Sequence, residues 1–197
     1  MRERLSPEER RKQLLEVAFE CFSEQGYVAT TVTDLVKRAG VAKGTFFYYF
    51  PTKEDALVAL MEEECIVIID RVKPQQVGLG AIDRMKQLLA LIDEPNRLEP
   101  IFTKLCECGE VRIMQRLWKV LQNAFSPVLM ECIELGIAQG VMHCQNIEVT
   151  ITYFWSIIDC LYICKEDEQL MRVYDEGKRM GYGLIEHALG MESGVLQ

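Results

Sequence analysis

Long apolar runs are missing from this 197-residue chain. None approaches the roughly 18 residues that a membrane-spanning helix requires, so no transmembrane protein and no membrane partner is expected. The opening stretch MRERLSPEERRKQLL also has no apolar segment of the kind a secretory signal carries, which leads us to expect a cytoplasmic protein. Histidine is scarce, with two residues, and no Cys-x-x-Cys pair occurs. That removes the usual zinc-binding spacings. No glycine-rich phosphate loop, paired-His motif or Ser-His-Asp set is present. A Cys-His nucleophile built on His143 or His187 would rest on composition alone, so we expect neither an enzyme nor a bound cofactor. Strand-like alternation, internal repeats and low-complexity tracts are absent as well.

What remains is ordinary globular composition, 49% hydrophobic and 26% charged. The net charge of −8 argues at first against a nucleic-acid partner. It is unevenly spread: residues 1–50 carry eight basic and seven acidic side chains, and the remainder fourteen and twenty-three. The N-terminal part is therefore near neutral and the rest strongly acidic, which calls for reading them separately. Eight cysteines are many for this length, but in a reducing compartment they are expected as buried thiols rather than disulfides.

Helical periodicity runs from Pro7 to Gln25, with Leu14, Val17, Ala18, Cys21 and Phe22 on one face. Ser6 is placed as the N-cap, with Pro7 at the first position and Gly26 as the stop. Thr31 and Asp34 have capping-box spacing ahead of a short helix, Val32 to Ala39, buried through Leu35 and Val36. Gly40-Val41 separates it from a third helix, about Ala42 to Tyr49, and so short a turn predicts a helix-turn-helix. Phe50-Pro51 closes that helix. Thr52 to Asp55 repeats the cap spacing and opens a longer helix to about Val72. Further helices are expected over 80–93, 97–108, 111–123, 127–139, 147–164 and 168–189, with breaks that include Lys73-Pro74, Ser126-Pro127 and Lys165-Glu166-Asp167. The fold class is all-α: an N-terminal three-helix helix-turn-helix head over 1–52, then a linking helix and a five- or six-helix bundle over 53–197.

A recognition helix needs small residues and donors at its N-terminal end, where backbone must approach DNA closely. Lys43, Gly44 and Thr45 supply them. Tyr48 and Tyr49 offer hydroxyls for phosphates or ring edges for thymine methyls, Lys53 a cation at the next helix start, and Thr31 and Thr33 hydroxyls at the preceding one. Phe46 and Phe50 are assigned to the core.

Over residues 7–57 the ordered series of features resembles the DNA-binding domain of the TetR (tetracycline repressor) family of bacterial regulators. The features are the capped first helix, Gly26-Tyr27, Thr30-Thr31, Ala39-Gly40-Val41, Lys43-Gly44-Thr45, the aromatic cluster, and Pro51 to Leu57. The resemblance implies a homodimeric repressor of a palindromic operator, released when its C-terminal domain binds a small-molecule inducer. Two positions depart from the family pattern. Ala42 stands where Ser or Thr is usual, and Phe47 where Tyr is common. Both keep their places in the candidate DNA surface without the hydroxyl.

The resemblance also places dimerisation in the last two long helices. The stripe expected there is Tyr153, Ile157, Leu161, Val173, Tyr174, Gly177, Gly181, Leu184, Ile185 and Ala188, with the two glycines marking close helix approach. For the inducer site, expected to take an apolar or aromatic molecule, the polarisable and apolar residues of the middle helices are candidates. They are Met61, Cys65, Met85, Phe102, Cys106, Trp118, Phe125, Met130, Trp155 and Asp159. The alternative is a metal- or thiol-responsive regulator using Cys106 with Cys108, His143 with Cys144, or Cys160 with Cys164.

Overall fold

The computed structural model describes residues 5–166 and 168–196, with the side chains of 164–166 and 168 outside the description. Ten helices follow in order among these residues, with no strand. They are α1 (Pro7–Gln25), α2 (Val32–Ala39), α3 (Lys43–Tyr49), α4 (Lys53–Gln75), α5 (Ala81–Ala90), α6 (Glu99–Glu107), α7 (Val111–Ala138), α8 (Ile147–Glu166), α9 (Glu168–Met171) and α10 (Tyr174–Ala188). The all-α class is as expected. Two compact units divide the chain: Met1–Val67 with Pro95–Leu121, and Ile68–Glu94 with Gln122–Gln197. The head at 1–52 lies wholly within the first unit, which also takes in α6 and the start of α7.

Local chemistry explains the first unit's ends and turns. Ser6 Oγ accepts from the Glu9 N–H at 3.2 Å while Glu9 accepts from the Ser6 N–H at 2.7 Å, so two of the orphan donors at the start of α1 are satisfied. Thr31 and Asp34 do the same for α2, at 3.2 and 2.9 Å. The shorter Asp serves in place of Glu. Gly40 ends α2 at φ +66°, and Val41 N–H then reaches back to Val36 C=O at 3.0 Å, which turns the chain into α3 within two residues. Leu14, Leu15, Ala18, Phe22, Leu35, Phe46, Phe50 and Leu57 are buried. Leu15 was not on the expected stripe, and Val17 is only half-buried.

Two expected breaks and one expected continuous helix are corrected. Pro127 does not split the segment 111–139, because α7 runs continuously through it. The lost backbone bond and ring clash cost about 3 kcal/mol. Burial of Val128, Leu129, Cys132 and Ile133 immediately beyond it offsets that cost. Ser126 stays helical, its hydroxyl donating to Gln122 C=O at 2.6 Å and accepting from Trp155 Nε1 at 2.9 Å. Pro74 lies inside the last turn of α4, where tight turns at Gln76 and Val77 already replace the regular ladder. The segment 168–189 is two helices, interrupted at Val173, whose φ of −111° leaves the helical region. The expected break at 165–167 falls beside Asp167, which is outside the described residues.

In the second unit α5 starts without a side-chain cap of its own, and Gln139 accepts its first N–H, from Ala81, at 2.9 Å. Gly181 lets α10 lie directly on α8, since a Cβ there would stand 3.0 Å from Ile157 Cγ2. Gly177 meets nothing comparable. Glu186 is a buried carboxylate that accepts the backbone N–H groups of Gly194 at 2.8 Å and Leu196 at 2.6 Å, holding the segment after α10 with Leu196 buried. The core of this unit includes Met85, Leu89, Leu129, Ile133, Phe154 and Leu189.

Candidate nucleic-acid interface

Phe46 and Phe50 hold α3 from beneath. Phe46 is fully buried, and its ring centroid lies 5.6 Å from that of Phe50. With those two inward, the remaining positions of the seven-residue helix turn out. Lys43 and Gly44 are exposed at its start, Thr45 is half-buried, Phe47 is exposed, and Tyr48 is 80% exposed with its ring edge-on to half-buried Tyr49. Ala42 is the N-cap and makes no side-chain cap bond, so the first N–H groups of α3 keep their donors for another acceptor. A Cβ built on Gly44 meets nothing within 4 Å, leaving its backbone open to close approach. Thr33 is exposed at the start of α2, and the Thr31 hydroxyl beside it is occupied by the Asp34 carboxylate.

Lys53 is placed differently from a free phosphate ligand. It is half-buried, and its ammonium donates to the carbonyls of Tyr27 at 2.6 Å and Thr30 at 2.7 Å while lying 4.1 Å from the centre of the Tyr27 ring. Two of its three N–H donors are thus engaged within the protein. Burial lowers its pKa and pushes that of Tyr27 up to about 12. Lys53 fastens the α1–α2 connector to the start of α4, a role that residue spacing alone did not reveal.

Four further cations, all in the same unit, went unread in the sequence. Arg97 pairs with Glu16 and stacks 3.9 Å over Phe19. Lys104 donates to the last carbonyls of α1, Ser23 at 2.6 Å and Glu24 at 2.9 Å. Arg112 and Arg116 both grip Glu54, and Arg116 also reaches Asp55, at 2.6 to 2.8 Å. Hydrogen bonds from Arg112 and then Arg116 hold the Glu54 carboxyl below its ordinary value of 4.5. This stabilisation is complete above that value and is lost as pH falls through the lowered one. Denaturant melts across acid pH should therefore show a loss of stability that Glu54→Gln makes smaller without removing, since Asp55 is lowered too, with a lower plateau at neutral pH.

The remaining candidates are dispersed. Met61 and Cys65 are buried in the first unit, where Phe102 and Trp118 are half-buried and Cys106 is exposed. In the second, Met85 and Trp155 are buried, Phe125 and Met130 half-buried, and Asp159 exposed. A narrow apolar crevice in that unit, without room for a water molecule, is lined by Ile133, Thr150, Phe154, Ile185, Ala188 and Leu189, none of them a ligand candidate. Leu161, Gly181 and Ile185 are buried within the single chain, which moves them from the expected dimer stripe to the α8–α10 packing beneath it. Tyr153, Val173 and Leu184 are exposed and Ile157, Tyr174, Gly177 and Ala188 half-buried. Among the described residues no three metal-ligating side chains converge. Cys21, Cys65 and Cys132 are buried thiols, and burial pushes the latter two up to about 11. Cys164, half of one proposed pair, has no described side chain.

A capped helix, a two-residue glycine turn and a short helix with an uncapped, open N-terminus define a helix-turn-helix protein. Residues 14–60 match the model of the bacterial regulatory proteins of the tetR family. The repressor AcnR of Corynebacterium diphtheriae is 28% identical over 154 residues, covering 76% of this chain and 77% of that protein. The uncharacterised regulator YvdT of Bacillus subtilis is 26% identical over 189 residues, covering 91% and 94%. In fold the chain is similar to RolR, solved with resorcinol, at a TM-score of 0.72 and 16% identity over 96% of this chain and 92% of that one. Residues 14–60 thus carry the DNA-binding region of the tetR family of bacterial regulatory proteins, and over its greater length the chain is similar to transcriptional regulators.

Proposed function

We propose that the chain is a repressor that binds a palindromic operator as a homodimer in the cytoplasm and is released by a small apolar or aromatic inducer. The observation that carries this reading is the outward row of α3: Lys43, Gly44, Thr45, Phe47, Tyr48 and Tyr49 over a buried Phe46 and Phe50, with Ala42 leaving the helix N-terminus uncapped. Residues 1–52 act as the reading head and 53–197 as the sensing and pairing part. Thr31 and Thr33 lie at the start of α2 as backbone contacts, and Lys53 acts mainly by positioning.

Pairing is supported by apolar side chains left in water on the last helices, with Tyr153 62% exposed on α8 and Met180 65% and Leu184 58% on α10. A two-fold axis through such a face would set the two recognition helices one DNA turn apart, roughly 34–36 Å. For the inducer, the support is the spread of Met and aromatic side chains in the helices after the head, and the resorcinol held by RolR. That the full-length relatives are regulators favours this reading over an enzyme.

Selection of bound fragments from random DNA tests the proposal, with enrichment of a palindrome as the expected result. Failure to enrich any sequence would overturn it. On the selected operator, Lys43→Ala should lower the slope of log affinity against log salt by about two, because an exposed cation at a helix start neutralises one phosphate for each of the two protomers. An unchanged slope removes that role.

A further inference from the structure

Cys106, Glu107, Cys108 and Gly109 are four consecutive exposed residues where α6 ends. The segment has room around it: a Cβ built on Gly109, where the chain turns at φ +68°, meets nothing within 4 Å. It is also tied to the head. Cys108 N–H donates to the Lys104 C=O at 3.2 Å, a bond of the last turn of α6, and Gly109 N–H donates to the Cys106 C=O at 3.0 Å. The Lys104 ammonium in turn holds the final carbonyls of α1, Ser23 and Glu24. The Glu24 carboxylate accepts from both terminal nitrogens of Arg38, on α2, at 2.5 and 2.8 Å. A series of bonds thus runs from the backbone of the two cysteines to the first helix of the helix-turn-helix.

Two cysteines two residues apart are kept close by the chain itself, since each residue spans at most about 3.3–3.6 Å. On a helix, however, side chains at i and i+2 do not face each other. One atom bonded to both sulfurs therefore requires the last turn of α6 to unwind, which breaks the bond from Cys108 to Lys104. A structural zinc would need four ligands, and among the described residues no three metal-ligating side chains converge. A trivalent arsenical that already carries one carbon substituent needs only two, and it is a soft centre of the kind thiolates suit.

We propose that Cys106 and Cys108 are a two-thiol site for trivalent organoarsenicals, and that filling it releases the operator by drawing Lys104 away from α1. With an arsenoxide R–As=O, two S–H bonds give way to two S–As bonds, and the oxygen leaves as water with both protons. Arsenic stays trivalent, so no oxidant or reductant takes part. The site stands on the two thiols; its effect on DNA rests on the reading of the chain as an operator-binding regulator.

The test uses the full chain carrying Cys160→Ser, which removes the other exposed thiol of the described residues, with phenylarsine oxide as the probe. The mass of the intact protein should show one phenylarsenic group per chain, with two thiols fewer to titrate and roughly tenfold weaker binding of the selected operator. Adding Cys106→Ser or Cys108→Ser should abolish both the uptake and the release, with the operator affinity of untreated protein kept. Iodoacetamide, which caps each thiol without joining them, should leave the operator bound. Lys104→Met should take up the probe as before while its operator affinity no longer responds. Uptake that survives either serine variant, or no uptake at all, overturns the site. Uptake at the pair with operator binding unchanged overturns the coupling, as does release by iodoacetamide or release of undiminished size in Lys104→Met. A chain that selects no DNA yet takes up one phenylarsenic group at Cys106 and Cys108 upholds the site and removes the regulator reading.

Discussion

Replacing Phe46 with alanine will lower the stability of the chain by about 3–5 kcal/mol, the range for truncating a buried aromatic whose surroundings relax only partly. Phe46 has no solvent exposure, and its ring is packed between Phe47 and Phe50 at centroid distances of 5.7 and 5.6 Å. A whole domain has only about 5–15 kcal/mol to lose. At roughly 2–4 °C per kcal/mol the melting temperature should fall by roughly 6–20 °C, and operator binding should vanish with the platform under α3. Phe47→Ala is the control. Its ring is half in water, so stability should move by no more than about 0.5 kcal/mol while DNA affinity falls. Equal stability loss in both variants would mean that α3 is not seated on Phe46.

Lys53→Met should separate positioning from phosphate contact. Methionine keeps an apolar stem over Tyr27 but removes the donor from the Tyr27 and Thr30 carbonyls. Hydrogen bonds from charged groups contribute about 1.5–3 kcal/mol each, so the head should lose about 2–4 kcal/mol after partial rehydration of the carbonyls. Operator affinity should fall because the connector ahead of α2 loosens, with the salt slope unchanged. A slope lowered by about two, one for each protomer, with an unchanged melting temperature would instead make Lys53 a phosphate ligand.

Caps and turns were the parts of this fold most legible in the sequence, because they are decided within four residues. Ser6 with Glu9, Thr31 with Asp34, Thr52 with Asp55 and the glycine at position 40 each do locally what their spacing announces. Errors arose where distant chain decides. Pro127 reads as a break until the buried residues beyond it are weighed, and α5 is capped by Gln139, 58 residues away. The apolar stripe of the last two helices was read as one face. Its burial shows two, with Leu161 and Ile185 inside and Tyr153 and Leu184 outside, a distinction that 3.6-residue periodicity does not make on a helix apolar nearly all round.

Within the candidate DNA surface the exposed positions of α3 could be read directly, since a short helix with two buried aromatics leaves few choices. Lys53 could not, because its partners are backbone carbonyls 23 and 26 residues earlier that carry no side-chain signal. The sensor was least legible. Methionine, cysteine and tryptophan are equally at home in a core, so these residue types do not by themselves mark a pocket.

The placement of Arg97, Lys104, Arg112 and Arg116 bears on how such regulators are recombined. The partners of Arg97 and Lys104 lie on α1, so a chimera joined at residue 52 would pair a new head with two cations shaped for the old one. Glu16 and the terminal carbonyls of α1 would be replaced under them, whereas the Glu54-Asp55 pair, beyond the joint, would keep Arg112 and Arg116. A graft that carries residues 1–67 together with 95–121 moves both sides of every one of these contacts at once. The natural seam for exchanging DNA specificity is thus discontinuous in sequence, with two inserted pieces in place of one.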